Sequence, residues 1–149
     1  MNFKIISIGS LKEDYLKKGV AEYQKRISGY GKLELIELQE SPRDNVTDEG
    51  TSILKKLKDD EFIIALAIDG RQLDSIELAK YLEDTFTYKN SSITFIIGGS
   101  NGLDNRVLER ANFILSFSKV TFPHQLMKLI LVEQIYRSLK IIKNEQYHK

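Results

Sequence analysis

The chain alternates between short runs of apolar residues and longer amphipathic stretches. The runs are rich in isoleucine, leucine and phenylalanine and are bounded by polar or glycine-containing segments, a pattern typical of β-strands. We predict strands at residues 3–9, 33–38, 62–68, 92–97 and 113–118. The runs at 62–68 and 92–97 are apolar almost throughout, as expected for strands that are covered on both faces.

In the segments between these runs, apolar residues recur at helical spacing. The predicted helices cover residues 13–26, 53–58, 74–86, 105–110 and 123–142. Asp74 and Glu77 have the spacing of a capping box, which starts a helix. Pro123 suits the first turn of the last helix, because its missing N–H would be unpaired there anyway.

Two connections carry no periodic pattern. Residues 39–50 are polar and are predicted to form a loop. Asp69-Gly70 is a typical turn pair and is predicted to end the third strand.

This order of elements predicts an α/β fold with a mainly parallel sheet flanked by helices. The 149 residues are expected to form one domain, residues 1–149. Ligands of such folds bind beyond the carboxyl ends of the strands. The ends at Ile68, Ile97 and Ser118 are therefore the candidate binding positions.

Composition excludes several classes of protein. Apolar residues make up 42% and charged residues 29% of the chain, which is typical of a globular protein rather than a disordered one. No apolar run approaches the roughly 20 residues of a membrane span. The amino terminus lacks the pattern of a signal peptide, and the chain contains no cysteine. We expect a cytoplasmic protein without disulfides or thiolate chemistry.

Charge is nearly balanced overall but uneven along the chain. The net charge is +1, lower than for most independent nucleic-acid-binding proteins. Residues 119–149 carry six basic side chains and two acidic ones. A solvated helix face explains this excess as readily as a binding surface does.

The glycine-rich stretch from Gly98 to Gly102 follows the fourth predicted strand. It is not a P-loop, because no Lys-Ser/Thr follows its last glycine, and it does not match G-x-G-x-x-G. A phosphate or dinucleotide site is therefore poorly supported. The loop can offer backbone N–H and C=O groups to an uncharged or carboxylate-bearing ligand. A tight turn with a positive-φ glycine is the structural alternative.

Two histidines are the remaining candidates for chemistry. His124 opens the last helix, where a neutral ring can serve as a base or hydrogen-bonding group. His148 follows Tyr147 close to the carboxyl terminus, where many tails are frayed. The two histidines have no metal-ligand spacing, so no metal site is predicted. A Gly-x-Ser-x-Gly motif is absent, which disfavours a serine hydrolase.

Several segments together resemble the RlmH family of ribosomal large-subunit methyltransferases, within the SPOUT or α/β-knot superfamily. The resemblance covers nearly the whole chain in the same order. It is carried by "IGSLKEDYLKKGVAEYQKRI", "LAIDGRQL", "FIIGGSNGL", "LSFSKVTFPHQLMKLILVEQIYRSLKI" and the terminal "YHK". Residues 40–50 look shorter than is usual in the family. Arg71 stands where a lysine is common, which should keep the charge.

The resemblance implies a fold and an activity. The implied fold has a C-terminal trefoil knot, a rare exception among protein chains, and forms a homodimer. The implied activity is S-adenosylmethionine-dependent methylation of N3 of a pseudouridine in helix 69 of 23S rRNA, within the assembled 70S ribosome. No metal and no membrane are involved.

The resemblance also implies a binding site. Carried over residue by residue, the cofactor contacts fall at Leu66, Gly98, Phe117, Ser118, Lys119, Val120, Thr121 and Phe122. These positions coincide with the three strand ends that general topology selects. The site is then expected to be mostly apolar, with the ligand held by backbone groups.

Roles for the remaining candidates follow as hypotheses. An imide N3 needs to lose its proton, so a general base would accelerate methylation. His124 and His148 are the candidate bases, with Tyr147 helping to place the base. Arg137, Lys140 and Lys149 are the candidate RNA contacts. They would bind phosphates and so hold the protein in position on the RNA without distinguishing its base sequence.

Three alternatives stay open. One is a SPOUT methyltransferase that acts on a different RNA base, and another is a non-enzymatic ribosome-associated module with the same fold. A flavodoxin-like nucleotide binder is a third, disfavoured by the missing phosphate signature. The apolar face of residues 123–142 is wider than one sheet needs, which favours a two-fold interface.

Overall fold

Five strands and five helices alternate along the chain in the computed structural model, which describes residues Met1–Lys149. The strands are β1 (Asn2–Ile8), β2 (Lys32–Leu38), β3 (Phe62–Gln72), β4 (Ser92–Ile97) and β5 (Phe113–Ser116). The helices are α1 (Asp14–Ile27), α2 (Val46–Lys55), α3 (Ser75–Tyr88), α4 (Asn105–Arg110) and α5 (His124–Ile142). None of the helices combines the length and apolar character needed to cross a bilayer.

The strands form one sheet in the order β2-β1-β4-β3-β5, and every neighbouring pair is parallel. The predicted α/β fold with a mainly parallel sheet is therefore confirmed. All five carboxyl ends lie along one edge of this sheet, which is where ligands of such folds bind. The C-terminal trefoil knot stays a prediction.

Two apolar layers cover the two faces of the sheet. Ile5 belongs to the larger layer and its neighbour Ile6 to the smaller one, because successive strand residues point to opposite faces. Helices α1, α3 and α5 contribute buried residues to the larger layer, and α2 and α4 contribute to the smaller one. Phe95 of β4 is fully buried between strand and helices. The continuous apolar runs of β3 and β4 are explained by this burial on both faces.

Two sequence predictions were wrong. Helix α2 begins at Val46 rather than at residue 53, because Asn45 accepts hydrogen bonds from the N–H groups of Thr47 and Asp48 and so caps the helix. Asp69-Gly70 does not end the third strand, which continues to Gln72. The pairing of β3 with β5 shifts register between Leu66 and Arg71, so the pair lies in a bulge rather than a turn.

Candidate active site at the carboxyl edge of the sheet

A cavity of about 730 Å³ opens beside the bulge of β3 and at the carboxyl ends of β4 and β5. The predicted strand ends Ile68, Ile97 and Ser118 all line it. Its walls come from the distal half of β3, from the glycine-rich loop after β4, and from the segment between β5 and α5. Three stretches that are far apart in sequence thus meet in one cavity, because parallel strands place their carboxyl ends at one edge.

Most of the predicted cofactor contacts line this cavity. The lining includes Leu66, Gly98, Phe117, Ser118, Val120, Thr121 and Phe122. Lys119 is not among the lining residues, although both of its neighbours are. These predicted contacts therefore combine apolar side chains with the hydroxyl groups of Ser118 and Thr121 and with the backbone of Gly98.

The glycine-rich loop folds back on itself too tightly for side chains. A Cβ placed on Gly98 would lie 2.5 Å from the carbonyl oxygen of Gly102. Gly99 and Gly102 form an isolated antiparallel bridge, and Gly102 has a φ of 77°, which favours glycine. Both interpretations of this stretch apply: it is a tight turn, and its bare backbone faces a cavity.

Helix α2 and the loop before it hold the glycine-rich loop in place. The side-chain amide of Asn101 donates to the carbonyl and the carboxylate of Asp44. Arg106 donates to the carbonyl oxygen of Thr47 at 2.9 Å. The polar segment 39–50, for which the sequence indicated only a loop, therefore supports the cavity wall.

The segment between β5 and α5 is shaped by its own serines. The hydroxyl of Ser116 donates to the carbonyl of Ser118 at 3.0 Å, and the N–H of Val120 donates to the hydroxyl of Ser118 at 2.9 Å. These bonds make a compact turn before Pro123, whose extended conformation leads into α5. The turn places Thr121 and Phe122 at the cavity.

His124 is the candidate base that lies at the cavity. It is the first residue of α5 and lines the cavity wall. Its Nε2 atom is buried and has no hydrogen-bond partner. Glu40 Oε1 lies 3.4 Å from this nitrogen, at an orientation that does not make a hydrogen bond. The ring thus stands between the cavity and the end of β1, where Gly9 leaves room for it.

His148 and Tyr147 lie elsewhere, packed against α5. The Tyr147 ring packs edge-on against Tyr136 at 4.8 Å, and its hydroxyl donates to Glu133 at 3.1 Å. Arg137 contacts His148 and is 13 positions after His124 on α5, so the two histidines lie roughly 20 Å apart along the helix axis. The structure brings the tail residues together but keeps them away from the cavity of the same chain.

The tail is therefore ordered rather than frayed. Burial, a hydrogen bond to Tyr23 and the negative charge of Glu133 together raise the pKa of Tyr147, so its hydroxyl stays protonated at neutral pH. A protonated hydroxyl can donate to Glu133 at every pH at which that carboxylate is ionised.

Two of the three candidate RNA contacts already have acidic partners. Arg137 pairs with Glu133, and Lys140 Nζ lies 2.7 Å from Glu145 Oε2. The side-chain hydrogen bond that Lys140 donates to Glu145 is the main reason that the pKa of Lys140 is raised. Lys149 is exposed at the end of the tail. Both acidic side chains of residues 119–149 are thus used in these two pairs, and the segment keeps its basic excess.

Asp69 and Met127 are among the side chains of the cavity wall that the sequence patterns did not indicate. Asp69 lines the cavity but was assigned to a turn, although its position at the end of an apolar run could have identified it. Met127 also lines the cavity, one helical turn after His124. Its position on the helix could have indicated this, since residues three apart share a face. No group of three or more potential metal ligands converges anywhere in the structure.

Comparison with known proteins assigns the chain to a class of enzymes. A family described as "Predicted SPOUT methyltransferase" matches residues 1–148. The chain belongs to this family, which confirms the resemblance seen in its sequence.

Relatives and a solved structure agree with this assignment. The chain is 52% identical to "Ribosomal RNA large subunit methyltransferase H" of Bacillus thuringiensis subsp. konkukian, with both chains fully covered. It is 52% identical to the protein of the same name from Bacillus cytotoxicus, and 51% to that from Bacillus anthracis, with the same coverage. A probable methylase family protein from Haemophilus influenzae Rd KW20 shares the fold, with a TM-score of 0.58 and 14% identity over 99% of this chain and 70% of that one.

Proposed function

We propose that this protein is an S-adenosylmethionine-dependent methyltransferase that modifies N3 of a pseudouridine in helix 69 of 23S rRNA. The proposal draws its substrate class from the relatives named as large-subunit rRNA methyltransferases. The observation that carries it is the meeting of three strand ends in one cavity. Because the substrate is ribosomal RNA, the proposed location is the bacterial cytoplasm.

The cavity fits S-adenosylmethionine in size and chemistry. Its volume of about 730 Å³ lies within the usual range of small-ligand sites. Leu66 and Phe122 offer apolar contact, and the glycine loop offers backbone groups that no Cβ obstructs. The absence of a phosphate-binding motif suits a ligand whose adenosine carries no phosphate. When bound, S-adenosylmethionine supplies a methyl group already activated on a sulfonium.

The protein's own task is to position the acceptor and remove a proton. Holding the reacting atoms in line converts the reaction into an effectively unimolecular one. The pseudouridine N3 is a poor nucleophile until it loses its proton, so a general base contributes about 10²–10⁴-fold. His124 lines the cavity wall and is the first candidate for this base, and His148 is the second candidate.

The position of the tail favours a homodimer. His148 lies roughly 20 Å along α5 from the cavity-lining His124 of the same chain. A tail that contributes to methylation therefore acts at the cavity of a second copy. Tyr147 places this tail through its contacts with Tyr136 and Glu133.

RNA binding in this proposal depends on the assembled 70S ribosome. Arg137, Lys140 and Lys149 are the proposed phosphate contacts. Such contacts position the protein on the RNA backbone without distinguishing the base sequence. Lys140 would exchange Glu145 for a phosphate oxygen, and Arg137 would keep Glu133 and offer its remaining N–H groups to phosphate. With a net charge of +1, the protein has little general attraction to free RNA. We therefore expect preformed ribosomal surfaces to supply most of the recognition.

The direct test uses ribosomes that lack the modification. Purified protein is mixed with these ribosomes and methyl-labelled S-adenosylmethionine, and the labelled nucleotide is located by nuclease digestion and mass spectrometry. We expect label on one pseudouridine in helix 69, and little label when free 23S rRNA replaces ribosomes. Label on another base would assign a different RNA specificity. Binding of S-adenosylmethionine without any label would indicate a non-catalytic module.

A further inference from the structure

The contact between Arg137 and His148 constrains the protonation of the tail histidine. Arg137 Nη1 lies 3.0 Å from His148 Nδ1. The guanidinium is fixed in place by two further contacts: Arg137 Nε donates to Glu133 at 2.9 Å, and the Tyr147 ring lies 4.8 Å from its central carbon. The arginine and glutamate side chains are only 25% and 19% exposed. Arg137 Nη1, which faces His148, therefore belongs to a guanidinium whose position is fixed by Glu133 and Tyr147.

Donor and acceptor roles in this contact follow from the chemistry of arginine. A guanidinium is always protonated and has only N–H donors. His148 Nδ1 must therefore accept the hydrogen bond through its lone pair. A neutral imidazole carries one N–H, so that hydrogen lies on Nε2. In this tautomer Nε2 is a donor and has no lone pair with which to take a proton.

His124 has the opposite arrangement. Its Nε2 is buried and accepts or donates no hydrogen bond within the chain. The carboxylate of Glu40 lies 3.4 Å away, close enough to stabilise a positive charge that forms on the ring. Nε2 thus faces Glu40 and Gly9, and the ring nitrogen left to receive a proton at the cavity wall is Nδ1.

We propose that Arg137 holds His148 as its Nε2–H tautomer, so that His148 acts as a hydrogen-bond donor to the substrate and His124 acts as the general base. This division of roles rests on the proposed methyltransferase function. Arg137 is then a positioning residue rather than a group that contacts the reacting atoms. The donor from His148 has natural acceptors in the carbonyl oxygens of the target base and in phosphate oxygens.

The tautomer can be observed without any methylation assay. Protein with ¹⁵N-labelled histidine is examined by NMR at alkaline pH. We expect His148 to show a protonated Nε2 and an unprotonated Nδ1. Arg137→Met removes the donor and should yield a mixture of tautomers. A protonated Nδ1 in the wild-type protein, or no change in Arg137→Met, would overturn the proposal.

Methylation rates on ribosomes then distinguish the hydrogen-bond donor role of His148 from the general-base role of His124. Glutamine places an N–H group near the position of His Nε2 but cannot take a proton, so His148→Gln should keep kcat within about tenfold of wild type. His148→Ala should lose more, and His124→Gln should lose about 100-fold or more. Protonation of a general base lowers the methylation rate at low pH. We expect His148→Gln to keep this pH dependence. Equal inactivity of His148→Gln and His148→Ala, or full activity of His148→Ala, would contradict the donor role.

Failure of the proposed function would be visible separately. If wild-type protein places no label on ribosomes, the methyltransferase proposal fails while the NMR result still reports the tautomer. If the label appears but the tautomer differs, only the division of roles fails.

Discussion

At the residue scale, the cavity depends on glycines that have no room for a side chain. Gly98 faces both the cavity and the carbonyl of Gly102, so its backbone is available to a ligand only because it lacks a Cβ. The sequence identified this loop from its three glycines and its place after an apolar run. The tight approach of Gly98 to Gly102 depends on the folded path of the loop and was not deducible from composition.

Substitution of Gly98 should therefore disturb the site. In Gly98→Ala the new Cβ would lie 2.5 Å from backbone oxygen, so the loop must shift. We expect a stability loss of about 1–3 kcal/mol, as for overpacking, and at least tenfold weaker binding of S-adenosylmethionine. Calorimetric titration measures the affinity, and urea unfolding measures the stability.

Gly29→Ala provides the matched control. A Cβ there would make an ordinary contact at 3.6 Å with a carbonyl remote from the cavity. We expect unchanged affinity in this variant. Wild-type affinity in Gly98→Ala would show that the glycine loop does not contact the ligand.

At the element scale, the sequence predicted the strands and helices that have clear periodicity or caps. Asp74 and Glu77 do form the predicted capping box of α3. The start of α2 was missed because its first turns are polar and its buried residues include Glu49 and Gly50, which carry no apolar pattern. The extension of β3 was missed because a bulge at Asp69-Gly70 looks like a turn in sequence.

The capping box of α3 gives a stability prediction. Asp74→Ala removes the acceptor for the N–H of Glu77, now bonded at 2.7 Å, and should cost about 1 kcal/mol. Asp84→Ala in the same helix removes only an exposed ion pair with Lys80 and should cost about 0.5 kcal/mol or less. Urea unfolding midpoints compare the two variants. Equal effects would show that the cap contributes nothing beyond surface charge.

The ion pair between Glu37 of β2 and Lys128 of α5 gives a second stability prediction. Lys128 is almost fully buried, and its ammonium lies 2.7 Å from Glu37. Glu37→Ala leaves this charge without its partner and should cost about 1–3 kcal/mol. Glu34→Ala, at an exposed position of the same strand, should stay within about 0.5 kcal/mol of wild type. Adding Lys128→Met to Glu37→Ala should recover part of the loss, and no recovery would contradict the buried-charge explanation.

The same pair predicts a dependence of stability on pH. Burial of Glu37 opposes its ionisation, but hydrogen bonds from Lys128 and the Leu11 N–H outweigh this and lower its pKa below the ordinary value of 4.5. A lowered pKa in the folded state stabilises the protein above pH 4.5, and this contribution is lost as pH falls through the lower value. Unfolding of wild type and Glu37→Ala should therefore converge below that pH. A constant difference between pH 7 and pH 3 would contradict the lowered pKa.

At the scale of the whole molecule, the position of the cavity was predictable from sheet topology, but the pairing of Arg137 and Lys140 with acidic side chains was not. Parallel strands place their carboxyl ends at one edge, so three strand ends found in sequence predicted the cavity. The pairing of Arg137 and Lys140 with Glu133 and Glu145 depends on helical spacing and on how the tail folds back. Two of the three candidate RNA contacts for this reason already have acidic partners in the structure.

The distance between the two histidines yields a test of assembly. His124→Gln and His148→Ala subunits are mixed at equal concentration after dissociation. If the tail acts at the partner's cavity, each heterodimer has one intact site, and about a quarter of all sites regain activity with random pairing. If the tail acts at its own cavity, the mixture stays as inactive as its components. Light scattering verifies that dimers form, and a monomer at micromolar concentration would exclude this arrangement.

The central claim is that the three strand ends bind the methyl donor. A crystal structure of the protein with S-adenosylmethionine tests it most directly. We expect the ligand in the cavity, with its polar groups bonded to the backbone of Gly98 and of residues 117–122. A ligand bound anywhere else, or no binding at millimolar concentration by calorimetry, would contradict the claim.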